Sequence, residues 1–163
     1  MDAFEAMSKR RSVRKYRGGN VTREQLSQIV NMGRLAPTGR NEQPWEFVVV
    51  TDRARLRQLA HLCEFGKFIV DAAACIVVLC KPSTYYLEDG SAATTQMLVA
   101  ATALGLASCW IAGDKKNYAP QVVALCGAPD TFQLVSLVAV GHGAEHPDPP
   151  KRKLADVLHW DRF

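Results

Sequence analysis

A layered α+β sandwich is the fold class this sequence predicts, and three observations predict it. Four apolar or β-branched runs of strand length recur along the chain, each separated from the next by stretches with helical spacing. Helix-start signals stand where several of those helical stretches begin. A length of 163 residues with 48% apolar content is ample for the core of a single domain, residues 1–163, and leaves no room for a second.

Taken in order, Asp2 can cap a short helix through Ser8 that buries Phe4 and Met7 on one side. A basic run follows, Arg10-Arg11-Ser12-Val13-Arg14-Lys15-Tyr16. Thr22 with Gln25 three residues on has capping-box spacing, and Leu26, Ile29, Val30 and Gly33 recur at helical intervals until Ala36-Pro37 ends the helix. The next stretch, Leu35 to Val50, breaks at Pro37 and Gly39, offers polar groups at Thr38, Asn41 and Gln43, and enters a strand after Trp45. Backbone that cannot stay helical must bond something else, so this loop presents fixed polar partners to a ligand or to Trp45.

Glu46 to Thr51 fits a buried strand, and Asp52 caps a helix over Arg53 to Leu62. Ala72 to Cys80 is a second strand, and Glu88 to Leu106 is helical with Ala92, Ala93, Gln96, Ala100 and Ala103 putting small side chains near one face. That face is either monomer core or half of a dimer contact. Ala107 to Ala112 reads as a strand, Ala119 to Cys126 as a helix stopped by Gly127, and Phe132 to Val140 as a last strand. The tail from Gly141 is rich in Pro and charge, with a helical scrap at Leu154–Leu158. Leaving its Trp160 and Phe163 in water would be costly.

Composition excludes several classes. Net charge is +4, with the basic residues crowded into Lys9 to Arg17, which favours an anionic ligand over a long polyanion. The five cysteines lie mostly in apolar runs without a CxxC pair, and the four histidines have no ligand spacing, so no metal is expected and the thiols are read as reduced. Met1 to Arg11 lacks the apolar core of an export signal, and no stretch reaches the roughly 18 continuous apolar residues of a spanning helix. The cytoplasm is the expected compartment, with no membrane partner. Gly141-His142-Gly143 precedes a Pro-rich tail, not a helix, and is rejected as a dinucleotide fingerprint. No Ser-His-Asp or Cys-His spacing marks a nucleophile, and His142 reads as a surface or hydrogen-bonded residue.

In combination, the RRSxRxY run at Arg10–Tyr16, the APxxxNxQPWxFVVV loop at Ala36–Val50, the GLxSxWI segment at Gly105–Ile111 and the basic turn Pro149–Leu154 resemble the nitroreductase family. The likeness covers nearly the whole chain. It implies an FMN-dependent oxidoreductase with a mainly antiparallel central sheet between helical layers, and a homodimer whose swapped tails wrap the partner and extend its sheet. It also implies ping-pong reduction of small electron-poor acceptors, nitroaromatics or quinones, by NADH or NADPH, with the flavin carrying the chemistry and no catalytic side chain.

The residues at the matching positions are then expected to bind FMN. Arg10, Arg11, Ser12 and Arg14 form the N-terminal block. Spaced alternately on an extended segment, Arg10, Ser12 and Arg14 project to one side. By the resemblance, Arg10 and Ser12 hold the phosphate, and Arg14 lies near the ring edge, balancing the charge gained on reduction. Pro37, Thr38, Gly39, Asn41 and Gln43 reach across the dimer to the other subunit's ring, making the site composite. Ala112 and Gly113 turn backbone N–H groups toward the ring's N5. Arg152 matches the closing basic position, although a Pro usual before Leu154 is missing, so Lys151 or Lys153 could serve instead. Tyr85 and Tyr86 either border the pocket or pack at the dimer edge. The competing readings are a specialised relative that dehalogenates or cleaves flavin, and a basic nucleic-acid-binding protein using Lys9 to Arg17.

Overall fold

A computed structural model describes all 163 residues. Five helices and five strands alternate: α1 Ala3–Lys9, β1 Tyr16–Arg17, α2 Arg23–Gly33, β2 Trp45–Val50, α3 Arg53–Leu62, β3 Ala74–Cys80, α4 Tyr86–Ala103, β4 Ala107–Ala112, α5 Ala119–Leu125 and β5 Gln133–Gly143. The predicted helix starts hold locally. Asp2 accepts from the Glu5 N–H at 2.8 Å, Asp52 from that of Arg55 at 2.9 Å, and Thr22 and Gln25 close a full capping box.

All the strand pairs are antiparallel. β5 is the spine of the sheet: β3 pairs along one side and carries β2 at the edge, β4 pairs along the other, and β1 pairs with the end of β5 at His142 and Gly143. Every residue of β3 is buried, because helices cover both faces of the sheet. The period of two sorts them: Ala74, Ile76, Val78 and Cys80 pack with Leu26, Ile29, Ala93 and Met97 of α2 and α4. Cys75, Val77 and Leu79 pack with Leu56, Leu59 and Val122 of α3 and α5. This is the expected α-β-α layering.

Some boundaries differ from the sequence reading. β1 went unforeseen because it is two residues long and half charged, and only its pairing to His142 and Gly143 makes it a strand. α2 ends at Gly33, and tight turns from Met32 and Gly33 carry the chain to Ala36, since the residue before Pro37 resists helical geometry. In α4 the small-residue face is divided: Asp89, Ala93, Met97 and Ala101 are buried, whereas Ala92 and Gln96 are half-buried and Ala103 is exposed. Between Val78 and Leu79 the register with β5 shifts, leaving Val135 as an extra residue in a bulge. No helix is long and apolar enough to cross a membrane.

Candidate functional site

The basic run leaves α1 as extended chain along the outer edge of β4. Ser12 bridges Ser108 in parallel and the Val13 N–H donates to the Ser108 carbonyl at 3.1 Å. Glu145, just beyond β5, accepts from the Arg14 and Lys15 N–H groups at 2.7 and 3.2 Å. An extended backbone turns alternate side chains to opposite sides. Val13 is buried, and Arg11 is held away by Asp148, at 3.0 and 2.6 Å, and by the Ser8 carbonyl at 2.7 Å. Arg11 and Val13 line a separate hollow of about 530 Å³ with Arg17 and His142.

The alternation turns Arg10, Ser12 and Arg14 to the other side of the run, with Ser12 lying against β4 at Ser108. Burial pushes the Cys109 thiol up, while the Arg14 charge, the Ser12 hydroxyl and the Arg10 charge act in the opposite direction. Arg14 also overlooks a cleft of about 400 Å³ shared with Phe65, Lys67, Phe68, Trp110 and Ala112. A cleft lined by Arg14, Lys67 and Glu64 among Phe65, Phe68 and Trp110 can take a planar ligand with a polar edge. The structure therefore unites three of the four N-terminal candidates and sets Arg11 apart.

At the end of β4 the two expected N–H donors have different fates. Both Gly113 and Asp114 donate to the Val135 carbonyl at 3.2 Å, so the bulge residue of β5 absorbs them. Gly113 is tightly placed there, since an added Cβ would lie 2.6 Å from Leu134 Cγ. By the alternation of an antiparallel ladder, the Ala112 N–H points away from β5 and stays available. The Ala112 carbonyl is taken by the Tyr118 hydroxyl.

The polar loop lies elsewhere on the chain. Gly39–Asn41 form a single tight helical turn, with Arg40, Asn41 and Gln43 at φ of 54°, 58° and 49°. Non-glycine residues rarely adopt this left-handed region. The Thr38 hydroxyl donates to Asp89 at 2.8 Å and accepts from the Gln43 N–H at 3.0 Å, while the Gly39 N–H donates to the other Asp89 oxygen at 3.0 Å. Pro37, Asn41 and Gln43 remain exposed. No hydrogen bond joins this loop to the basic run, and the Arg152 guanidinium bonds the Asp156 carbonyl in its own tail. Lys151 and Lys153 are likewise exposed. One chain thus assembles the Arg10–Ser12–Arg14–Ala112 group and leaves the loop and the tail apart from it.

Sequence reasoning missed Asp89, Glu145 and the 2.8 Å bond from the Tyr86 hydroxyl to Asp114. Asp89 had a readable signal: it falls on one helical face with Ala93 and Met97, where a carboxylate must find donors. The other two depend on folding, because their partners lie 28 or more positions away. His142 rests against the Asn20 carbonyl at 3.1 Å. Among the His, Cys, Asp and Glu side chains no group is placed to hold a metal.

Known proteins share this fold. A model of the nitroreductase family matches residues 7–74 and 66–142. A protein of Archaeoglobus fulgidus described as an NADH dehydrogenase/NAD(P)H nitroreductase is 34% identical over 146 residues, which cover 85% of this chain and 84% of that one. The crystal structure of a protein of the same description from Bacteroides thetaiotaomicron superposes with a TM-score of 0.93 at 29% identity, covering 99% of this chain and 98% of the other. A nitroreductase from Desulfovibrio desulfuricans, solved in complex with FMN, superposes at 0.88 with 28% identity over 100% of this chain and 98% of its own. Fold and site together define an α+β oxidoreductase of the nitroreductase type. The chain belongs to the nitroreductase family.

Proposed function

We propose that this chain is an FMN-dependent oxidoreductase that uses NADH or NADPH to reduce small electron-poor acceptors such as nitroaromatics or quinones. It does so as a cytoplasmic homodimer with two composite sites. The observation that carries the reading is the course of the basic run along the edge of β4: Ser12 bridges Ser108, Arg14 lines the cleft with Trp110 and Ala112, and Arg11 is bonded away to Asp148. The nitroreductase of Desulfovibrio desulfuricans with FMN bound supports the choice of cofactor.

The donor set fits such a group, since two guanidinium groups and a hydroxyl match a phosphate dianion and an anionic ring edge. FMN, when bound, supplies hydride and electron transfer. The protein's own part is binding and orientation. Arg10 and Ser12 hold the phosphate, and Arg14 sets a positive charge beside the ring edge, favouring the form that gains negative charge. The Ala112 N–H, directed off the sheet, offers a hydrogen bond toward the ring. Asn41 and Gln43 belong to the second copy's share of the site, Thr38 spends its hydroxyl on Asp89 and the Gln43 N–H within its own chain, and the tail carries Lys151, Arg152 and Lys153 toward the site. No side chain acts as a nucleophile.

The test is to purify the protein, identify the extracted cofactor and measure its native mass. FMN in a dimer, with nicotinamide oxidation on adding a nitroaromatic, is the expected result. A colourless monomer that takes up no FMN would overturn the reading. Turnover of halogenated aromatics alone would move it to the dehalogenating branch of the family.

A further inference from the structure

The first turn of α4 holds a carboxylate that the cofactor assignment leaves unused. Asp89 is only 5% exposed, and each of its oxygens is taken by the polar loop, one by the Thr38 hydroxyl and one by the Gly39 N–H. The Thr38 hydroxyl passes the constraint on by accepting the Gln43 N–H, so one buried group fixes both ends of a six-residue arc. Within that arc Arg40, Asn41 and Gln43 occupy left-handed backbone that side-chain-bearing residues avoid, and geometry of this kind persists only where its surroundings impose it. The fit is close: a Cβ on Gly39 would lie 2.8 Å from the Tyr85 ring, so the loop is seated on the start of α4 as well as bonded to it.

The carboxylate is well placed for this. It lies in the first turn of an 18-residue helix, where the backbone dipole favours negative charge, and bonds to a carboxylate are among the stronger hydrogen bonds. The same turn carries Tyr86, whose hydroxyl donates to Asp114 just past the end of β4. One helical turn therefore braces two of the segments assigned to FMN.

We propose that Asp89 is a positioning residue that holds loop Thr38–Gln43 in its ligand-ready form through Thr38 and Gly39, without touching the cofactor. This rests on the FMN-binding reading above. It also accounts for an acid on the apolar face of α4, where a structural residue would be Ala or Met like its neighbours Ala93 and Met97.

The test compares apo wild type with Asp89→Asn, Thr38→Val and Thr38→Ser. FMN affinity is measured by fluorescence quenching, the visible spectrum of bound FMN is recorded, and amide hydrogen exchange is followed at residues 38–43. Asp89→Asn and Thr38→Val are expected to weaken FMN binding about tenfold, the loss of one well-made polar bond. They should also shift the flavin band and speed exchange in the loop. Thr38→Ser, which keeps the hydroxyl, should stay close to wild type. A merely structural role would lower thermal stability alike but leave FMN affinity and the band unchanged, and that result overturns the proposal. Should Asp89→Asn fail to fold, the Thr38→Val and Thr38→Ser pair decides. A wild type that binds no FMN would sink the functional reading first and this inference with it.

Discussion

Loop Thr38–Gln43 and the tail Pro147–Phe163 both stand outside the dry core, yet they owe their shapes to different things. The loop is strained and polar, and everything that holds it comes from its own chain: Asp89, Thr38 and the ring of Tyr85. The tail is rich in Pro and charge, and its large apolar side chains are unsupported. Leu154, Trp160 and Phe163 are 71%, 79% and 105% exposed, and hydrogen bonds beyond Asp148 run only between tail residues. Exposed apolar side chains on that scale mark a surface that something else covers. One segment is organised by its own chain, and in the proposed dimer the other would be organised by the partner. In a composite site of two copies, the loop would be the preformed jaw and the tail the strap.

The sharpest way to break this contrast is to remove the strap. Deleting Pro150–Phe163 is expected to turn the native particle from dimer to monomer and to weaken FMN retention about 100-fold or more, because cofactor and partner stabilise one state together. Loop exchange rates at residues 38–43 should barely change. A truncated chain that stayed dimeric and yellow would show that the tail is ornament. A smaller effect separates the two neighbouring arginines. Arg10→Ala should weaken FMN binding roughly 10- to 100-fold, the value of a charge-assisted bond to phosphate. Arg11→Ala should change it less than about twofold while freeing the root of the tail at Asp148, visible as faster exchange over 144–150. Equal losses in the two variants would refute the sorting of side chains along that segment.

How far these regions could be read from the amino-acid order follows from how local their causes are. The capping box of Thr22 with Gln25 and the β-branched run into Val50 depend on neighbours within a few positions, and both formed, although that run is an edge strand buried only at Trp45 and Val50 where its apolar content suggested a buried one. The division of labour at Ala112 and Gly113 was not legible, because it depends on a bulge at Val135 in a strand 22 positions downstream. Arg11 was grouped with its neighbours for the same reason: only the folded chain brings Asp148 to it. Nor could the left-handed residues of the loop be foreseen, since Arg40 and Gln43 have no intrinsic preference for that region and are forced there by the grip on Thr38 and Gly39.

The subtlest expected effect tests that grip directly. Arg40 is exposed, sits at φ 54° and ψ 18°, and its side chain takes part in no ion pair. Its left-handed backbone costs on the order of 1–2 kcal/mol, which glycine would not incur, although glycine also gives the unfolded chain more freedom to lose. The net for Arg40→Gly should be a gain of about 0.5–1 kcal/mol, raising the melting temperature by roughly 1–4 °C for a chain of this size. If Asp89 and Thr38 set the shape of the loop, FMN affinity should stay within about twofold of wild type, since glycine adopts the same angles and both ends remain held. If the stiffness of residue 40 sets it instead, the gain in stability would come with weaker FMN binding and faster exchange at Asn41 and Gln43. The loop would then resemble the tail more than the contrast allows: a segment whose order comes from what it touches and not from the chain that carries it.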